Sequence, residues 1–164
     1  MLRAYLEKRR ISRSFESVID PKTMLSVFNS DTASQPAGQT HIDFVLAFVR
    51  AETPPELSRH LDVVADIGIR QRAIVHDVIG AFVVLAFGTG PTVPSPPGNR
   101  ASLVAALRER LASDIKIVHG GANGHVGFFG SGSSTAYTFL VPRFDAILGV
   151  LGRLEFGAVE EFRQ

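Results

Sequence analysis

The apolar positions of this chain change their spacing several times, and each change marks the boundary of a predicted element. Residues 2 to 12 set apolar side chains among charged ones at helical spacing, and Pro21 opens a second short helix carrying Met24, Leu25, Val27 and Phe28. Residues 1–29 therefore read as a helical lead-in. Residues 30–40, SDTASQPAGQT, are small, polar and turn-forming, as in a surface linker, which leaves 41–164 as the domain proper. Ile42 to Val49 is apolar at almost every position, the pattern of a strand covered on both faces. Thr53 then offers an N-cap with Glu56 three residues on, a capping box, and Pro54 suits the first turn. Leu57, Leu61, Val64 and Ile67 form the buried stripe of that helix.

Ala73 to Ile79 and Phe82 to Phe87 are apolar runs on either side of Gly80, which predicts two paired strands and a tight turn. Pro91 to Pro97 is a stiff surface loop. Asn99 or Ser102 is placed to cap a helix whose Leu103, Leu107 and Leu111 face the sheet. Ile115 to His119, His125 to Phe129 and Ala136 to Val141 read as three further strands, and Arg143 to Phe156 as a last helix. The order strand, helix, strand, strand, helix, strand predicts an α/β (α+β) fold: a ferredoxin-like βαββαβ core with an added β-ribbon and helix.

Composition narrows the function classes. The chain has 164 residues, 45% apolar with 12 Phe, which fills one core. Lys plus Arg number 17 and Asp plus Glu 16, so no broad field favours nucleic acid or an anionic membrane. Cysteine is absent, which removes disulfides, thiolate metal sites and a cysteine nucleophile. The longest apolar run, Ile79 to Phe87, is about half the length of a spanning helix. A soluble, cytoplasmic protein is the expectation.

Several phrases, in order, resemble the catalytic domain of the class III adenylate/guanylate cyclases. Phe15 to Pro21 looks like the aromatic-x-x-Val-Ser/Asp-Pro segment that often precedes these domains in bacteria. Ile42 to Thr53 is similar to the family's first strand, which ends in a phrase like Leu-Phe-Ala-Asp-Ile-Arg-Gly-Phe-Thr. Ile79 to Gly88 resembles the second signature, Ile-Gly-Asp followed by an apolar strand ending in Phe-Gly. His119, Gly121, Gly127, Gly130, Ser131, Tyr137 and Thr138 look like the family ribbon, and Arg153-Leu154-Glu155 matches the end of its last conserved helix.

The resemblance implies a reaction that this chain is poorly equipped to perform. Cyclisation of a nucleoside triphosphate in that family uses two metal ions held by two aspartates. Phe48 and Ala81 stand at those positions, and neither has the oxygen donor that a hard divalent cation requires. Asp77 falls where the family reads the base with a lysine, and Gly149 where an asparagine orients the ribose. Thr138, at the base-selecting position, and Arg153, at the position that stabilises the transferring phosphate, remain as nucleotide-binding candidates. No catalytic residue, metal ligand or cofactor is assigned. The interval from Phe48 to Ala81 is shorter than in the family, and that from Tyr137 to Arg153 longer.

Other chemistry finds little support in the pattern. The glycines between 120 and 132 lack a following Lys-Ser/Thr pair and read as turn or bulge residues, not as a phosphate loop. His119 and His125 read as surface or hydrogen-bonded histidines, and Lys8, Arg9, Arg10 and Arg13 as a solvated helix end. The leading expectation is a catalytically inactive cyclase-like domain, working as a homodimer or paired with an active cyclase, in a regulatory or ligand-binding role. One alternative is an active cyclase whose metals are held by Asp43, Asp77 or Asp145. The other is a purely structural interaction domain.

Overall fold

The computed structural model describes residues 38–89, 98–129 and 136–163. The helical lead-in and the proline-rich loop from Pro91 to Pro97 lie outside the described residues. The elements follow in the order β1 (Gly38–Val49), α1 (Pro54–Arg70), β2 (Ile74–Ile79), β3 (Phe82–Phe87), α2 (Asn99–Leu111), a single 3₁₀ turn (Ala112–Asp114), β4 (Ile115–Phe129), β5 (Ala136–Leu140), α3 (Phe144–Arg153) and β6 (Val159–Phe162). The strands make one sheet ordered β2-β3-β1-β4-β5, with β6 lying parallel to β4. Antiparallel pairing of β1 with β3 and β4, and of β2 with β3, reproduces the ferredoxin-like βαββαβ core.

Alternation along β1 explains why its run from Phe44 to Val49 is apolar at every position. Val45, Ala47 and Val49 face a cluster built with Val64 of α1 and Leu103, Leu107 and Leu111 of α2. Ile42, Phe44 and Leu46 face the other way, into a cluster with Phe139, Ile147 and Leu151 that brings in β5 and α3. Burying both faces leaves no polar position from Phe44 to Val49.

Local signals place the helices. The Thr53 Oγ1 accepts a hydrogen bond from the Glu56 amide at 3.4 Å, the capping bond that the sequence predicts. The returning bond comes from the Glu52 amide, 2.7 Å from the Glu56 carboxylate, and not from the cap residue's own amide. Gly80, with φ 59°, turns β2 into β3 in the left-handed region that favours glycine. No helix among the described residues is long and apolar enough to cross a membrane.

Several expectations are corrected. The two strands predicted at Ile115 to His119 and His125 to Phe129 are one continuous 15-residue strand, β4. Its glycines serve close approach across the sheet, not turning. A Cβ on Gly120 would lie 2.7 Å from the Phe162 carbonyl oxygen and 2.8 Å from the Phe44 ring. The cap of α2 is Gly98, with φ 89°, and neither Asn99 nor Ser102 caps it; Asn99 donates its side-chain amide to the Gln71 carbonyl at 3.2 Å. β1 starts at Gly38, within the segment read as linker. α3 stops at Arg153, three residues before the predicted end, and β6 follows where no strand was expected.

Candidate functional site

Strand register brings positions 48 and 81 together. Phe48 pairs with Phe82 across β1 and β3, and the Val49 amide donates to the Ala81 carbonyl at 2.9 Å. Positions 48 and 81 are therefore neighbours at one end of the sheet, although the chain between them includes α1 and β2. Ile79, Phe82 and Phe48 align across β2, β3 and β1 into an apolar row, and Lys116 of β4 completes it opposite Phe48. The row is partly open, with Ile79 62% and Phe48 36% exposed.

The corner is built of rings and cations. The Phe48 and Phe156 rings lie 6.2 Å apart at 56°. The Lys116 Nζ stands 5.5 Å from the Phe48 centroid and 5.3 Å from that of Phe156. It also donates to the Leu154 carbonyl at 3.2 Å and the Gly152 carbonyl at 3.4 Å. The Arg50 guanidinium lies 4.9 Å from the Phe156 centroid and pairs with Asp114 at 3.1 Å. A hard divalent cation does not fit this donor set: Phe48 offers a benzyl ring with an ammonium over it, and Ala81 a methyl group packed against the α1 and α2 core.

The remaining predicted site residues are dispersed. Thr138 pairs through its backbone with Gly127 in the β4–β5 ladder, and its side chain lies outside what the structure describes. Arg153 is the last residue of α3, exposed, with its Nη1 3.6 Å from where a Cβ on Gly149 would stand. Gly149 and Arg153 thus share a helix face that differs from the one buried through Ile147 and Leu151. Asp77 is exposed on β2, opposite Val84, and Asp145 is exposed in the first turn of α3. Asp43 accepts from Arg100 at 2.8 Å. Asp43, Asp77 and Asp145 do not converge, and among the described residues no group of three or more His, Asp or Glu side chains is placed to hold a metal ion.

A second polar cluster lies on the α2 side of the sheet. Arg100, in the first turn of α2, donates to Asp43 of β1 at 2.8 Å and to Glu161 of β6 at 3.0 Å, tying the added strand to the core. His41 approaches Asp43 at 3.7 Å, and Arg163 meets Glu161 at 3.2 Å. His119 sits beside this network, with its buried Nδ1 lacking a hydrogen-bond partner among the described residues. Burial, helped by the Arg100 charge and opposed by Glu161, holds the His119 pKa below its usual 6.5.

A pH dependence with a definite sign follows from that shift. The folded state prefers neutral His119, so the unfolded chain binds more protons as the pH falls through 6.5. The contribution to stability is complete above 6.5 and declines as acidification approaches the lowered folded value. Denaturation midpoints measured from pH 8 down to pH 5 should therefore fall, and His119→Leu should flatten the profile. A variant profile parallel to that of the wild type contradicts the assignment.

The sequence showed Phe48 and Ala81 but not the side chains that surround Phe48. Lys116, Arg50 and Phe156 gave no local signal, because they meet only through the strand register and the return of the chain after α3. Arg100 and Glu161 likewise meet only through the fold.

No protein-family model matches the sequence, and no curated protein sequence matches it. Solved structures do match. The adenylyl cyclase CyaB from P. aeruginosa superposes with a TM-score of 0.64 at 14% identity, covering 76% of this chain and 78% of that one. A bacterial light-regulated adenylyl cyclase superposes with a TM-score of 0.68 at 11% identity, covering 96% of this chain, which spans 53% of that longer protein. The non-canonical dimeric guanylyl cyclase domain of the RhoGC fusion protein from the aquatic fungus Blastocladiella emersonii gives 0.61 at 12% identity, covering 75% of this chain and 80% of that one. At such identities the likeness is one of architecture, and the architecture is that of the class III adenylyl and guanylyl cyclase catalytic domain.

Proposed function

We propose that this chain is a catalytically silent cyclase-like domain that acts by dimerising, in a regulatory or ligand-binding role. The observation that carries this reading is the corner where positions 48 and 81 meet. Two oxygen-bearing anions would be needed there, and the chain places an aromatic ring beside a lysine ammonium on one face and a methyl group packed into the α1 and α2 core at the other position. Proton transfer from a 3′-hydroxyl and stabilisation of the leaving pyrophosphate both lose their electrophile in such a site. Arg153 alone supplies one fixed positive charge on the far side of α3 from the core, which suffices to hold an anion but does not activate a nucleophile.

The dimer part of the proposal rests on the open row of Ile79, Phe82 and Phe48, an apolar strip across three strands that a second cyclase-like domain would cover. One solved relative is described as a dimeric guanylyl cyclase domain, and we extend that state to this chain. The partner is a second copy or an active cyclase. Incubating the purified protein with ATP or GTP and Mn²⁺ should yield cyclic nucleotide at no more than the protein-free rate. Product formation proportional to protein concentration, and surviving further purification, overturns the proposal.

A further inference from the structure

We propose that Lys116 is a built-in replacement for a bound cation: its ammonium takes up the cation-binding capacity of this corner and keeps divalent metal out of it. The inference rests on the silent reading above and adds the residue responsible. Four features converge on one nitrogen. Two are ring faces, those of Phe48 at 5.5 Å and Phe156 at 5.3 Å. Two are carbonyl oxygens, those of Leu154 at 3.2 Å and Gly152 at 3.4 Å.

Each feature favours positive charge for its own reason. The face of an aromatic ring is the negative end of its quadrupole and attracts an ammonium within about 6 Å. The last carbonyls of a helix have no partner within it and carry the negative end of its dipole. Gly152 and Leu154 lie at the C-terminal end of α3, so Lys116 satisfies oxygens that would otherwise need water or an ion. The corner is therefore a cation site, filled by the chain itself.

Register makes Phe48 and Lys116 a matched pair. They face each other directly across β1 and β4, so the residue at the first metal position has the ammonium as its cross-strand neighbour. An aspartate at position 48 would be drawn to Lys116 as an ion pair, and its oxygens would then be engaged before any metal arrived. Restoring the carboxylates alone should fail to restore metal binding, because the cation that displaced the metal stays in place.

The test compares Phe48→Asp/Ala81→Asp with the same protein carrying Lys116→Met in addition, by titrating each with Mn²⁺ and reading free ion by electron paramagnetic resonance. Binding at least tenfold tighter in the triple variant supports the proposal. Equal affinity in the two, including no binding in either, overturns it. Failure here leaves the silent reading intact, since that reading concerns the wild-type chain and is judged by its product assay. Because substitutions at this corner can impair folding, a second measurement uses the unaltered protein. Amine acetylation followed by mass spectrometry should label Lys116 at least tenfold more slowly in the native chain than in urea, with a lysine-containing reference peptide added to both reactions to normalise reagent. Equal labelling of Lys116 in both states overturns the proposal independently.

Discussion

Phe44→Ala lowers the free energy of unfolding by about 3–5 kcal/mol, the range for removing a fully buried phenylalanine from a core that cannot collapse around the gap. Phe44 is 1% exposed and stands in the centre of β1, between β3 on one side and β4 on the other. Its ring joins Ile42, Leu46, Val118, Ile147 and Leu151 in the cluster that attaches α3 to the sheet. Truncation leaves a void bounded by paired strands, whose hydrogen bonds resist inward movement. Urea denaturation followed by circular dichroism measures the loss directly. A change below about 1 kcal/mol would mean that this face of the sheet is loosely packed, contrary to the burial of its residues.

Gly120→Ala comes next in size, at a cost of about 2–3 kcal/mol through overpacking. The added methyl would meet the Phe162 carbonyl oxygen at 2.7 Å and the Phe44 ring at 2.8 Å. The ring can rotate or shift, but the carbonyl belongs to β6, so the short strand must move away from β4. Amide exchange should therefore accelerate across Val159 to Phe162 more than across β1 or β3. Phe44→Ala in the same chain removes the ring contact while leaving the carbonyl, so the double variant should cost less than the sum of the two singles. Strict additivity, or exchange unchanged in β6, contradicts the contact.

The fold was legible wherever a local pattern decided the outcome. Thr53 and Glu56 announced α1, the Ile79-Gly80 turn announced the β2–β3 hairpin, and the unbroken apolar run of Ile42 to Val49 announced a strand covered on both sides. Reading failed where a residue answers to a partner remote in sequence. Gly120, Gly121 and Gly124 have the composition of a turn, yet their missing side chains make room for Phe44, for Asp43 with His41, and for Ile42 with the Leu140 carbonyl. Only the pairing of β1 and β5 with β4 reveals that need. Leu154 and Phe156 keep apolar spacing past the end of α3, which extended the predicted helix, whereas Leu154 is already extended and its carbonyl is taken by Lys116.

The candidate site divides in the same way. The lack of a side-chain oxygen at positions 48 and 81 was visible because residue type is a property of single positions. The aromatic and cationic corner was not, since Phe48, Lys116 and Phe156 are brought together by register and by the turn after α3. Arg153 illustrates the limit of carrying a motif across: the residue type matches, while its place on the exposed face of α3 assigns it no role within this chain alone.

A silent domain must be unable to take a divalent ion where Phe48 and Ala81 stand. Wild-type protein titrated with Mn²⁺ in the presence of a non-cyclisable nucleoside triphosphate, with bound ion read by electron paramagnetic resonance, should take up no more Mn²⁺ than the nucleotide binds by itself. Saturable uptake beyond that level, abolished by Phe48→Lys, would show that metal enters the corner and that the silent reading is wrong.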